Sequence, residues 1–200
     1  MGSSKSGIGL RGKIDLLKKV VFLDRDGTIN RDSPGYIKSR EEFEFLPGSL
    51  EAIKALTVNR FTIIVITNQS ALPRKLISLE ELKYIHSMLL QSVRSNGGEI
   101  KDIFYCPHMP EDGCDCRKPE PGLILDARRK YSIDLADAVM IGDSHRDIEC
   151  GINAGCGRTV LVKTGIHANT AERLAEKDIY PDYVAQDLYE ASDWVINSYT

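Results

Sequence analysis

Three stretches of this 200-residue chain end in residues that could do chemistry together. Asp24 and Asp26, with Gly27 and Thr28, close the first; Thr67 and Asn68 close the second; Gly142 and Asp143, with Asp147 shortly after, close the third. Lys118 lies between the second and the third. Brought to one sheet edge, they surround a small cavity with three carboxylates, a hydroxyl and an ammonium. Carboxylates crowded at a buried strand end repel one another unless a hard cation neutralises them, and Mg²⁺ binds through one or two carboxylates plus water and substrate phosphate. A metal is therefore implied. With Mg²⁺ present, a carboxylate can attack phosphorus as a nucleophile, because the metal screens the repulsion between two anions. The second Asp of the first stretch would then serve as the acid. Taken singly, an Asp at a strand end is more often a turn former or helix cap, and only the combination reverses that reading. Asp147 is open between capping the next helix and holding a metal-bound water.

A second cluster lies in CPHMPEDGCDCRKP, Cys106 to Pro119. Cys106, His108, Cys114 and Cys116 supply three thiolates and an imidazole, which fill a tetrahedron around Zn²⁺ and leave no open position for water. Such a site is structural. The spacings are tighter than those of common zinc fingers, but a Cys114–Cys116 disulfide would be strained, and buried cysteines suit a loop of Pro, Gly and Asp poorly. Arg117 and Lys118 follow the last ligand directly, so a metal there would fix where those cations point. Cys150 and Cys156 lack a neighbouring histidine and are expected as small core residues. His145 is within reach of Asp143 but reads as exposed or supporting; His86 and His167 carry no expected role.

These residues need strands to hold them. KKVVFLDRDG, FTIIVITNQS, AVMIGDS and GRTVLVKTG are short apolar runs ending in polar or turn-forming residues, the pattern of strands buried on both faces of a parallel sheet. EIKDIFYCP adds a fifth and DYVA a short candidate near the end. Helical spacing fills the intervals. It is clearest in SLEELKYIHSMLLQSVRSNGG, where Ser78 precedes Glu81 as a capping box and Gly97-Gly98 stops the helix. Others are expected in PGSLEAIKALTVN, PGLILDARRKY, DSHRDIECGINAG, near Ala171–Lys177 and in LYEASDWVINS. Alternation of this kind predicts a doubly wound, Rossmann-like α/β fold with ligands at the carboxyl ends of the strands.

At 42% hydrophobic, the chain is expected to fold residues 19–200 as one domain after a flexible N-terminal segment, 1–18. A net charge of −3 gives no general basic field, so nucleic acid is an unexpected partner and any phosphate affinity rests on a few placed cations. No apolar run is long enough to span a bilayer, the opening MGSSKSGIGLRGK lacks the apolar middle of a signal peptide, and five cysteines suit a reducing compartment. The expectation is a cytoplasmic protein with no membrane contact, monomeric for want of any heptad pattern.

DRDGT, TNQS, Lys118 in RKP, and GDSHRD, in that order, resemble the four motifs of the haloacid dehalogenase-like phosphatases. The resemblance implies an HAD-type sheet in which Asp24 is the nucleophile that forms a phosphoaspartyl intermediate. Asp26 would protonate the leaving alkoxide and later deprotonate the attacking water. Thr67 and Asn68 would bond the phosphoryl oxygens, and Lys118 would neutralise phosphoryl charge and orient Asp24. Mg²⁺ would sit on the Asp24 and Asp143 side chains and the Asp26 main-chain carbonyl.

Many relatives carry a separate cap domain, for which the intervals around the second motif leave no room here. The Cys-His loop and the Arg31–Phe45 segment are expected to do its work. Among capless members, the zinc loop with DRDGTIN and CRKP is similar to the heptose-bisphosphate and the histidinol-phosphate phosphatases. Arg74, Lys75 and Arg117, with Gln69 and Ser70, are the expected substrate-binding residues. Their charge favours the substrate with a second phosphate over the cationic histidinol phosphate. The Ala71-Leu72-Pro73-Arg74 run departs from the heptose pattern and leaves the contacts of Arg74 and Lys75 open. A reading from a different class is a non-catalytic zinc-loop module that binds a protein or nucleic acid, against which the intact acids and Lys118 count.

Overall fold

The computed structural model describes residues 16–166 and 169–199. Most of the segment expected to be flexible, and His167, lie outside the described residues. The apolar runs form β1 (Val20–Leu23), β2 (Thr62–Asn68), β3 (Asp102–Cys106), β4 (Ala138–Gly142), β5 (Arg158–Val162) and β6 (Tyr183–Ala185). All pair in parallel, in the order β3-β2-β1-β4-β5-β6. Between them come α1 (Ser49–Val58), α2 (Leu79–Ser95), α3 (Gly122–Tyr131), α4 (His145–Ala154), α5 (Thr170–Ala175) and α6 (Leu188–Ser198).

The two-residue side-chain period of a strand sends alternate residues to opposite faces, and both faces are covered. Val21 and Leu23 of β1 and Val139 and Ile141 of β4 pack in one core, with Ile53 of α1, Ile85 and Leu89 of α2 and Val195 of α6. Val20, Phe22 and Met140 point the other way, onto Ile124 of α3 and Cys150 of α4. Each fully buried Leu or Ile contributes about 1.5–3 kcal/mol relative to exposure, which is why the strands are so uniformly apolar. The start of α2 is fixed as its sequence requires, the Ser78 side chain accepting the Glu81 N–H at 3.1 Å.

This topology creates the place for a site. The chain runs from β1 outward to β2 and β3, then returns to lay β4 on the other flank of β1. Connections leave these two neighbouring strands in opposite directions, so a crevice opens beyond their carboxyl ends. Asp24 directly follows β1, and Asp143 directly follows β4.

Candidate active site

A pocket of about 340 Å³ lies over that crevice, with Asp24, Asp26, Thr67, Lys118, Asp143 and Asp147 in its lining. Lys118 is only 3% exposed and is surrounded by oxygen. Its Nζ lies 2.7 Å from Asp24 Oδ1, 2.5 Å from Asp147 Oδ1 and 2.8 Å from the Ile66 carbonyl. Burial alone would lower this ammonium, but the Asp147 and Asp24 carboxylates more than reverse that and hold it above its ordinary value. Asp147 is fully buried. Its Oδ2 accepts both the N–H and the hydroxyl of Ser144, at 3.0 and 2.6 Å, so Asp147 caps α4 and braces Lys118 at once.

The remaining acids are under electrostatic stress. Burial, then the Asp147 and Asp26 charges, push Asp24 up to about 7 against the pull of Lys118. Burial and the Asp147 and Asp24 charges push Asp143 up to about 9. One lysine does not neutralise three carboxylates. Asp24, Asp143 and Asp147 each offer an oxygen within 4.8 Å of the others, and the buried Asp143 Oδ2 has no hydrogen-bond partner among the described residues. An orphaned anionic oxygen beside a second carboxylate fits a hard cation, and the surrounding backbone is shaped to leave it clear. A Cβ on Gly27, whose φ is +83°, would stand 2.6 Å from Asp143 Cγ, and one on Gly165 would overlap Asp143 Oδ2 outright.

The other expected residues are placed less uniformly. Thr67 Oγ1 accepts from Gln69 Nε2 at 2.9 Å, and the same amide reaches Asp26 Oδ2 at 3.1 Å. Asn68 lines the pocket, but its amide is taken up by the Lys118 main chain, accepting the N–H at 3.0 Å and donating to the carbonyl at 3.2 Å. These two bonds hold the Lys118 main chain and use one of the two N–H donors of the amide. Arg117 Nη1 bonds Ser70 Oγ at 2.7 Å and the His108 carbonyl at 3.2 Å, tying the cysteine loop to the end of β2. Arg74 lines the pocket with its Nε on the Tyr36 hydroxyl at 2.8 Å. Lys75 does not line it. The turn closes with the Lys75 N–H on the Leu72 carbonyl at 2.9 Å, which leaves Lys75 exposed beyond the rim.

Arg146 was missed by sequence reasoning. It stands in the first turn of α4, lines the pocket, and makes no hydrogen bond or ion pair among the described residues. The visible signal was a basic residue three positions after Asp143, between it and Asp147 and overshadowed by both. Asp32, Pro34 and Tyr36 of the Arg31–Phe45 segment and Pro110 of the cysteine loop also line the pocket. His145 is half-buried and does not line the pocket, whereas Cys150 and Cys156 pack in or against the core.

Cys106, His108, Cys114 and Cys116 do come together. His108 Nδ1 is 3.2 Å from Cys116 Sγ and 3.6 Å from Cys106 Sγ, and the three sulfurs are 3.3–3.6 Å apart. Metal–sulfur bonds of about 2.3 Å and a metal–nitrogen bond of about 2.0 Å give tetrahedral edges of roughly 3.5–3.8 Å, close to this spacing. The thiols also conflict without a cation. Burial opposes ionisation at Cys114, yet hydrogen bonds from Cys116 and Cys106 outweigh it and bring that thiol down to about 7, while burial pushes Cys106 and Cys116 up. The four ligand atoms lie at the spacing that a single metal ion requires, all within 4.8 Å of one another.

A parallel sheet with paired acids after its first strand and a lysine-carboxylate cluster at the switch point has the architecture of an HAD-like hydrolase. A family described as HAD-hydrolase-like matches residues 115–191. The D-glycero-beta-D-manno-heptose-1,7-bisphosphate 7-phosphatase of Bordetella bronchiseptica is 46% identical over 147 residues, 74% of this chain and 82% of that protein. The enzyme of the same name from Escherichia coli K12 is 36% identical over 185 residues, 89% of this chain and 88% of that one. The crystal structure of the B. bronchiseptica D,D-heptose 1,7-bisphosphate phosphatase complexed with magnesium and phosphate matches with a TM-score of 0.82 at 40% identity, covering 90% of this chain and 99% of that one. The chain belongs to the HAD-like hydrolases, in the same family as these phosphatases.

Proposed function

We propose that this protein is a Mg²⁺-dependent phosphatase that removes the 7-phosphate of D-glycero-D-manno-heptose 1,7-bisphosphate. The observation that carries the reading is the Lys118-centred cluster with Asp24, Asp147 and Asp143 on the pocket floor, under a rim that carries Arg74, Arg117 and Arg146. Asp24 Oδ1 holds both Lys118 and the Arg25 N–H, at 2.7 Å each, which fixes the carboxylate for attack along one direction. Asp24 attacks phosphorus, the bond to the sugar oxygen breaks, and Asp26 delivers a proton to that oxygen. Asp26 then takes a proton from water, which attacks the phosphoaspartyl group and releases inorganic phosphate. Lys118 offsets charge on the transferring group throughout, and Thr67 and the loop at Gln69 and Ser70 border it. The Asp24 and Asp143 carboxylates and the Asp26 carbonyl would hold Mg²⁺, which would supply the charge screening that lets a carboxylate approach a phosphate dianion.

Zn²⁺ in the cysteine loop is part of the same reading. With its ligands fixed, Arg117 and Lys118 are anchored in sequence and the loop serves as a wall in place of a cap. A second hollow of about 440 Å³ adjoins the pocket and shares Arg117 and Arg146 with it, giving a second phosphate two cations to meet. The same arginines oppose the cationic end of histidinol phosphate. Residues 19–200 then act as one domain and as a monomer. Thiols kept for a metal suit a reducing compartment such as the cytoplasm.

The test is phosphate release from a panel containing both heptose bisphosphate anomers, fructose 1,6-bisphosphate and histidinol phosphate, with Mg²⁺. The reading expects the highest kcat/KM for a heptose bisphosphate; a higher value for histidinol phosphate contradicts it.

A further inference from the structure

Arg25, between the two acids after β1, is 1% exposed and among the largest fully buried side chains. A guanidinium so placed needs acceptors on every side, because it has donors only. Its Nε donates to Asp26 Oδ1 at 3.0 Å, and its Nη2 donates to Oδ1 and Oδ2 at 2.9 and 2.8 Å. That is a two-pronged fork on one carboxylate. The remaining nitrogen, Nη1, points away from Asp26 and meets His86 Nε2 at 3.2 Å. Since arginine accepts nothing, His86 Nε2 is the acceptor, and the ring is the neutral tautomer with its proton on Nδ1. Burial first, and the Arg25 charge second, lower His86 to about 4, in keeping with a ring that stays neutral in a working cell.

His86 projects from the middle of α2, beside the buried Ile85 and Leu89, and its ring meets Tyr105 of β3 edge-on at 5.7 Å between centroids. A rigid helix is thereby linked to the pocket wall through two side chains. Asp26 is held further by Asn30 Nδ2 at 2.9 Å and Gln69 Nε2 at 3.1 Å. Those two donors hold one oxygen each, Oδ1 and Oδ2. The fork adds three bonds from one planar guanidinium, and an acceptor at the far end of that guanidinium holds the plane in which it lies.

We propose that His86 is a positioning residue for the phosphoryl transfer: it anchors Arg25, and Arg25 sets where the Asp26 carboxyl group stands when it exchanges protons with the leaving oxygen and with water. This rests on the phosphatase reading above. A leucine at position 86 would keep the volume on α2 and remove the acceptor, leaving Nη1 unpaired and the fork free to turn. A glutamine offers an amide oxygen at similar reach and keeps the anchor.

The experiment compares two phosphate esters in the Mg²⁺-loaded full chain, reading kcat/KM, which reports steps up to transfer onto Asp24. Phenyl phosphate needs a proton on its leaving oxygen, whereas 2,4-dinitrophenyl phosphate does not. His86→Leu is expected to lower kcat/KM for phenyl phosphate by about tenfold or more and to leave the dinitrophenyl ester within about twofold. His86→Gln restores most of the loss, and His86→Leu adds nothing further in an Asp26→Asn background. Equal losses on both esters, no rescue by glutamine, or full additivity with Asp26→Asn would overturn the role assigned to His86. Should His86→Leu fail to fold, His86→Asn, whose amide falls short of Nη1, carries the same comparison. A wild-type protein that releases phosphate from neither ester and from no sugar phosphate of the panel above overturns the phosphatase reading itself, an outcome distinct from any of these.

Discussion

Lys118 has more of the site resting on it than any other side chain, because its three contacts reach β1, β2 and the first turn of α4 at once. Removing it leaves buried carboxylates without the only close ammonium among the described residues. Lys118→Ala should lower kcat by at least about 100-fold and destabilise the metal-free protein by about 3–5 kcal/mol, seen as a fall in Tm that Mg²⁺ partly reverses. An unchanged Tm would mean that the carboxylates are relieved in some other way. Arg146 is a simpler case. Arg146→Ala should raise KM for the bisphosphate about tenfold while changing KM for the heptose 7-phosphate little, a difference of about 1.4 kcal/mol. The residues legible in the sequence were those whose type is rare in its setting, such as the acids at the ends of apolar strands. Arg146 and His86 were not: Arg146 is a basic residue in the first turn of a helix, a common surface setting, and His86 takes its role from Arg25, far along the chain, as the bonds of Asn68 to the Lys118 main chain also depend on distant folding.

The strands were readable because β1, β2, β4 and β5 are buried on both faces and therefore run nearly continuously apolar. Helix α2 was equally plain from its cap and spacing, yet the same pattern hid His86, which falls just beside the buried stripe of Leu82, Ile85 and Leu89. That histidine has a measurable signature. It titrates at about 4 in the folded protein against an ordinary value of 6.5, so between those pH values the unfolded chain takes up a proton that the folded one refuses. Its contribution is complete above pH 6.5 and is lost as pH falls toward 4. The stability difference between wild type and His86→Gln should therefore shift by up to about 3 kcal/mol over that window; a flat difference across it would contradict a neutral, buried His86. The cysteine loop separates from this helix in its own way. Cys116→Ala should lower zinc content, Tm and activity together, whereas Lys118→Ala should retain zinc, and equal zinc in both would undo the division between a structural metal and a catalytic lysine.

At the scale of the whole molecule, the order β3-β2-β1-β4-β5-β6 decides where chemistry can occur, because only β1 and β4 meet at a change of direction. Alternating elements announced that fold, and the short intervals between motifs announced the lack of a cap and pointed to the Arg31–Phe45 segment and the Cys-His loop as its substitutes. Asp32–Ile37 and Pro110 of those two stretches do line the pocket, whereas the α4 terminus, with Ser144 and Arg146, was not expected there because its place depends on how the loops pack above the sheet. The central claim is that phosphate passes through Asp24 on its way to water. Rapid acid quench of the Mg²⁺-loaded protein during turnover of the heptose bisphosphate, followed by peptide mass analysis, tests it directly. Phosphate should be found on the peptide containing Asp24 and be absent in Asp24→Asn, whose phosphate release should fall at least about 10³-fold. Release at the wild-type rate from Asp24→Asn, or phosphate trapped on a different residue, would contradict the account.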